Sequence, residues 1–136
     1  MKTNESTENY LETILFLSER NPNVRSIDVA HELSFSKPSV SVAMKLLREK
    51  EYITMDESGN IFLTETGKAI AKNVSDRHNV IAEALMLLGV DEKTAYNDSC
   101  KIEHFLSESS FEKIKRHLNE HKSTKSRHND IDVVLL

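Results

Sequence analysis

The chain has 136 residues, 38% of them hydrophobic and 29% charged, a balance that fits a folded domain and argues against a disordered polyampholyte or a membrane protein. No apolar run approaches the ~18 residues of a spanning helix, and the first ten residues lack a signal peptide's apolar stretch. A single cysteine allows no internal disulfide framework, so a cytoplasmic location is expected. With 3 Gly and 2 Pro the chain favours helices over a loop-rich β fold, and the net charge of −4 gives no global sign of a polyanionic partner.

In chain order, Tyr10, Leu11, Ile14, Leu15 and Leu17 recur at helical spacing and predict a helix from Thr7, read as its N-cap, to about Arg20. Asn9, Glu12 and Phe16 share a second face of that helix. Ser26 is expected to cap a short helix carrying Ile27, Val29, Ala30 and Leu33. Ser36 opens the next, with Pro38 in its first turn and Val40, Ala43, Met44 and Leu47 at i, i+3, i+4 and i+7. Two short helices joined through Ser-Phe-Ser make a helix-turn-helix candidate. Ile53-Thr54-Met55 and Ile61-Phe62-Leu63, flanking the turn residues 56–60, read as a hairpin and complete the order of a winged helix. Thr64 then caps a long helix ending near Gly89, whose ~25 residues would span roughly 37 Å. Asp91 opens a helix through Ala95, Cys100, Ile102 and Phe105 to Leu106, and Ser109 or Ser110 caps a last one over 111–121. Residues 122–136 carry no assignment.

The charge is local. Lys37, Lys45, Arg48 and Lys50 against Glu49 give residues 36–50 a balance of +3, which leaves −7 for the rest of the chain. Ser36, Lys37, Pro38, Ser39 and Ser41 occupy the first turn and a half, where a recognition helix presents groups to bases and phosphates, and Lys45 and Arg48 follow. The same helix also reads as a solvated amphipathic one. A second basic stretch, 113–128, nets +5 and reads as a solvated tail or as further phosphate contacts.

Cys100, Glu103 and His104 stand at i, i+3 and i+4, so on a helix they lie within about 100° of arc. Thiolate, carboxylate and imidazole form a ligand set for a divalent transition metal. His78 lies close to the apolar line Ile70, Val74, Ile81 and Leu85 of the long helix, where a half-buried imidazole needs a partner. Each group also has an ordinary reading: a buried small Cys, a surface Glu-His pair, a core His satisfied by a carbonyl, and solvated Asn9 and Glu12.

Tyr10-Leu11-Glu12, the segment Ser36 to Ser41, Leu63-Thr64-x-x-Gly67, Arg77-His78 and Tyr96-Asn97-Asp98-x-Cys100-x-x-Glu103-His104 together resemble the diphtheria toxin repressor family, and in length its manganese transport regulator branch. The resemblance implies a mainly α chain: a winged helix-turn-helix over 1–63, joined by a long helix to a helical dimerisation and metal-binding domain over 64–136. It places metal ligands at Asn9, Glu12, His78, Cys100, Glu103 and His104. Asn9 stands where the manganese branch has an aspartate, and Cys100, where that branch has a glutamate, matches the iron branch. Ala82 occupies the place of a second-site carboxylate. The softer thiolate puts Fe(II) slightly ahead of Mn(II) as the effector.

The function so implied is a metal-activated transcriptional repressor that binds palindromic operator DNA as a homodimer and controls iron or manganese homeostasis. Val80, Ala84, Leu87, Ile102, Phe105, Ile114 and Leu118 are expected to supply the two-fold interface. The alternative is a winged-helix regulator that senses oxidation or a small ligand through Cys100 without metal. An enzyme is not expected, since the chain has no phosphate-binding glycine loop, no His-Glu-x-x-His and no nucleophile elbow.

Overall fold

The computed structural model describes residues 4–135, with side chains from 4 to 122. Its elements are α1 (Glu5–Ser18), α2 (Ser26–Leu33), α3 (Lys37–Glu49), β1 (Ile53–Met55), β2 (Ile61–Leu63), α4 (Glu65–Leu87), α5 (Glu92–Ile102) and α6 (Glu108–Leu135). They form two compact units, residues 1–75 and 76–136, with the boundary inside α4.

In the first unit Tyr10, Leu11 and Ile14 of α1 pack with Val29 and Ala30 of α2, Val40, Met44 and Leu47 of α3, and Ile53 and Ile61 of the hairpin. This is the helical stripe read from the sequence, and it buries the faces that the 3.6-residue period places together. The turn between α2 and α3 closes by left-handed Ser34 (φ 57°), which lets Phe35 N–H reach the Ala30 carbonyl at 3.0 Å. Ser36 caps α3, accepting from Ser39 N–H at 3.3 Å, and Pro38 sits in the first turn, where its missing donor costs nothing. The strands pair antiparallel with Ile53 opposite Leu63 and Met55 opposite Ile61, as a winged helix requires.

Thr64 ties this wing to α4. Its hydroxyl donates to the Glu51 carbonyl at 2.7 Å and accepts from Gly67 N–H at 3.1 Å. Gly67 is obligatory there, because a Cβ on it would lie 2.0 Å from the Tyr52 carbonyl oxygen.

The second unit holds the end of α4, α5 and α6. Ile81, Ala82, Ala95, Ser99, Glu103, Phe111 and Leu118 are its buried side chains among the described residues. Gly89, at φ +100°, closes α4, with Val90 N–H reaching the Leu85 carbonyl at 3.1 Å.

Several expected boundaries move. Asn4 caps α1, accepting from Thr7 N–H at 2.7 Å, while Thr7 itself is buried inside the first turn. Ser26 is the first residue of α2; the entry is fixed by Asp28, which accepts from Arg25 N–H at 2.9 Å. The helix from Asp91 ends at Ile102 rather than Leu106. Neither Ser109 nor Ser110 caps α6; Ser107 does, accepting from Ser110 N–H at 3.1 Å. The helix then continues past 121 to Leu135.

Candidate metal centre

His78 projects from α4, Cys100 from the last turn of α5, and Glu103 from the residue that closes α5. One ligand atom of each lies within 4.8 Å of the other two. Bonds of about 2.0–2.3 Å put two ligands of one ion no more than ~4.6 Å apart, so small rotations bring all three onto a single ion. Glu103 is buried, and Cys100 and His78 are half-buried. An imidazole, a thiol and a carboxylate are a fitting donor set for a divalent transition metal.

The surroundings orient these groups. His78 Nε2 lies 3.0 Å from the Tyr96 carbonyl, which accepts only from a protonated nitrogen, so a neutral ring keeps its lone pair on Nδ1. The Tyr96 ring meets the imidazole edge-on at 5.6 Å. Ser99 is fully buried and donates to the same carbonyl at 2.9 Å.

Arg77, next to His78, holds the chain reversal after α5. Its guanidinium donates to the carbonyls of Glu103 at 3.2 Å and Leu106 at 2.9 Å, pairs with Glu108, and stacks on Phe111 at 4.7 Å. The backbone of one candidate ligand is thus tied to the residue beside another. His78 stands out in the sequence by its place on the apolar line of α4, whereas Arg77 enters only with the family resemblance, because the helix end that it caps is set by the tertiary fold.

The other expected ligands are placed differently. His104 lies just beyond the end of α5, after Glu103. Its nearly buried side chain puts Nε2 3.7 Å from Glu103 Oε1. Asn9 and Glu12 are half-buried on α1, in the first unit, with Arg20 stacked on Phe16 one turn further along at 3.7 Å. Ala82, at the position of the missing second carboxylate, is fully buried in the core of the second unit.

The seven residues expected to meet DNA are all exposed on or at the start of α3: Ser36, Lys37, Pro38, Ser39, Ser41, Lys45 and Arg48. Ser36 and Ser39 also engage each other through their hydroxyls at 2.8 Å.

Of the expected interface residues, Ala84, Leu87, Ile102, Ile114 and Leu118 line an apolar groove of about 590 Å³ in the second unit. Leu118 is nevertheless only 2% exposed, so it belongs to the unit's own core as well. Phe105, 80% exposed, and half-buried Val80 lie outside that groove. Among the described residues no helix is long and apolar enough to cross a membrane.

A DNA-binding winged helix in one unit and a transition-metal donor set in the other define the class of metal-dependent transcriptional repressors. Family comparison agrees: residues 2–60 match the iron dependent repressor N-terminal DNA-binding domain, and residues 64–132 its metal binding and dimerisation domain. The chain belongs to that family. It is 36% identical over 112 residues to the HTH-type transcriptional regulator MntR of Bacillus subtilis, covering 82% of this chain and 79% of that one. It is 37% identical over 113 residues to an uncharacterised HTH-type transcriptional regulator of Methanocaldococcus jannaschii, covering 82% and 90%. Among solved structures, that of the manganese regulator SloR superposes with a TM-score of 0.73 at 28% identity, covering 88% of this chain and 55% of that one. The chain therefore spans about half the length of that solved relative. The metal-free alternative working through Cys100 finds no support in these relatives.

Proposed function

We propose that this chain is a metal-activated repressor that binds palindromic operator DNA as a homodimer in the cytoplasm and controls iron or manganese homeostasis by binding, not by catalysis. The convergence of His78, Cys100 and Glu103 within the segment matched by the metal-binding domain carries the reading. His104, beside Glu103, completes the group in the second unit. Residues 1–63 act as the DNA-binding head and 64–136 as the metal-binding and dimerising body, the apolar groove being covered by a second copy.

A bound dication would supply positive charge beside the buried Glu103 and a bond to the Cys100 sulfur. The chain's own residues do the rest. Tyr96 and Ser99 fix the His78 ring, and Arg77 holds the Glu103 backbone, so the donor set is organised before an ion arrives. These residues would activate DNA binding by holding an ion more tightly in the DNA-competent arrangement, because only a differential affinity shifts an equilibrium. The Cys100 thiolate favours Fe(II) over Mn(II), although the family contains a protein described as a manganese regulator.

Cobalt(II) gives a direct test, since a thiolate ligand to cobalt produces a charge-transfer absorption in the near ultraviolet. The wild-type chain is expected to show that band at one equivalent and Cys100→Ser to lose it. Cobalt bound with no such band would remove Cys100 from the centre.

A further inference from the structure

Along α3 the side chains of Val40, Met44 and Leu47 enter the core, each no more than 2% exposed. At 100° per residue the outward direction falls close to Val42, which is 62% exposed, and to exposed Glu49 at the far end of the helix. Pro38 stands one turn before it, also exposed, and Leu46 one turn after it, 51% exposed. Ser41 and Lys45 lie to one side of this line, with Lys37 in the first turn. From Pro38 to Leu46 the centre of the outward face is therefore apolar while its edge is cationic and hydroxylic, and Glu49 follows only in the last turn. One exposed valine on a solvated helix would need no explanation. Three apolar side chains in line on the helix with the locally positive charge, inside a segment matched by a DNA-binding domain, do.

Taking α3 as the helix that enters the major groove, on which this inference rests, we propose that Val42 is a specificity-determining residue that reads the C5-methyl group of a thymine. An isopropyl group offers neither donor nor acceptor. Placed against guanine, adenine or the amino group of cytosine, it would remove water from polar atoms and give nothing back. Thymine alone among the four bases presents an apolar group in the major groove. Lys37 and Lys45 suit the flanking phosphates, which fix register without carrying sequence information. Each half-site then requires an A·T pair, with the thymine oriented toward Val42, at one position. Pro38 and Leu46 border that contact.

The experiment uses the full chain loaded with cobalt(II) or manganese(II). A site is first selected from a random duplex pool. Each thymine of a half-site is then replaced in turn by deoxyuridine, which lacks only the methyl group. At one thymine the wild type is expected to lose roughly four-fold in affinity per half-site, the value of one methyl group removed from water. Val42→Ala should bind the thymine duplex with about that loss and show no further loss with deoxyuridine at the same position. Exposure of the side chain leaves the fold intact in this variant, checked by an unchanged melting temperature. Val42→Gln, whose amide can pair with adenine N6 and N7, should select a different base there. Equal wild-type affinity for the thymine and deoxyuridine duplexes, or an unchanged site selected by Val42→Gln, overturns the inference and leaves DNA binding standing. A pool from which no sequence is enriched overturns the DNA-binding reading, and this inference with it.

Discussion

Gly67 and Arg77, ten residues apart on α4, play opposite parts: one keeps a space clear, the other fills one with hydrogen bonds. At Gly67 a methyl group would meet the Tyr52 carbonyl oxygen at 2.0 Å, so Gly67→Ala must push α4 away from the wing. We expect it to lower stability by about 1–3 kcal/mol, read from denaturant unfolding, with the loss coming from overpacking. Arg77 satisfies the carbonyls of Glu103 and Leu106. Its replacement in Arg77→Met should weaken metal affinity by about 10- to 100-fold, as loss of a group that orients a ligand does elsewhere. Arg77→Lys should not restore the affinity, because one ammonium cannot reproduce the planar fork. Isothermal titration with cobalt(II) separates these outcomes; full affinity in either variant would show that Arg77 serves the fold alone.

At the scale of elements, the periodic parts of the chain were legible and their ends were not. The stripe of α1, the i, i+3, i+4, i+7 pattern of α3 and the two three-residue strands follow from where apolar residues recur. Boundaries depend instead on which of several adjacent polar groups makes the capping hydrogen bond. Asn4 outcompetes Thr7 because Thr7 is drawn into the core, and Ser107 outcompetes Ser109 and Ser110. The end of α5 matters most for the site. Ending at Ile102, it leaves Glu103, still in helical conformation, as the closing residue and His104 beyond it, while Cys100 and Glu103 converge as their i, i+3 spacing suggests. The convergence of Cys100 and Glu103 on His78 is tertiary, and no spacing within one helix contains it. Caps also set acid sensitivity. The Asp91 carboxylate accepts from Thr94 N–H at 3.1 Å, and hydrogen bonding from Thr94 holds it below the usual carboxylate range. A folded pKa below the unfolded one contributes stability at neutral pH that is lost as the pH falls through the folded value. Asp91→Ala should therefore lower the melting temperature at pH 7, with the difference from wild type closing in acid.

At the scale of the whole molecule, charge and apolar surface are divided between the two units. The basic helix α3 lies in the first, and the donor set and the apolar groove lined by Ala84, Leu87, Ile102 and Ile114 lie in the second. An open apolar groove of about 590 Å³ marks an interaction surface, and under the proposed function its occupant is a second copy of the chain. Sedimentation should give a dimer for the wild type and a shift toward monomer for Leu87→Lys, whose side chain is 46% exposed and so not needed by the unit's own core. A wild-type monomer at all concentrations would contradict the paired recognition helices.

In the proposed function, metal held by His78, Cys100, Glu103 and His104 controls DNA binding. This control is tested most directly by titrating the metal-free protein anaerobically with Fe(II), Mn(II), Co(II) and Zn(II) while following its binding to a selected palindromic duplex. DNA affinity should rise by about 5- to 150-fold with metal, Fe(II) should act at a lower concentration than Mn(II), and Glu103→Ala or His104→Ala should abolish the rise. Equal affinity with metal and with chelator would contradict the proposed function.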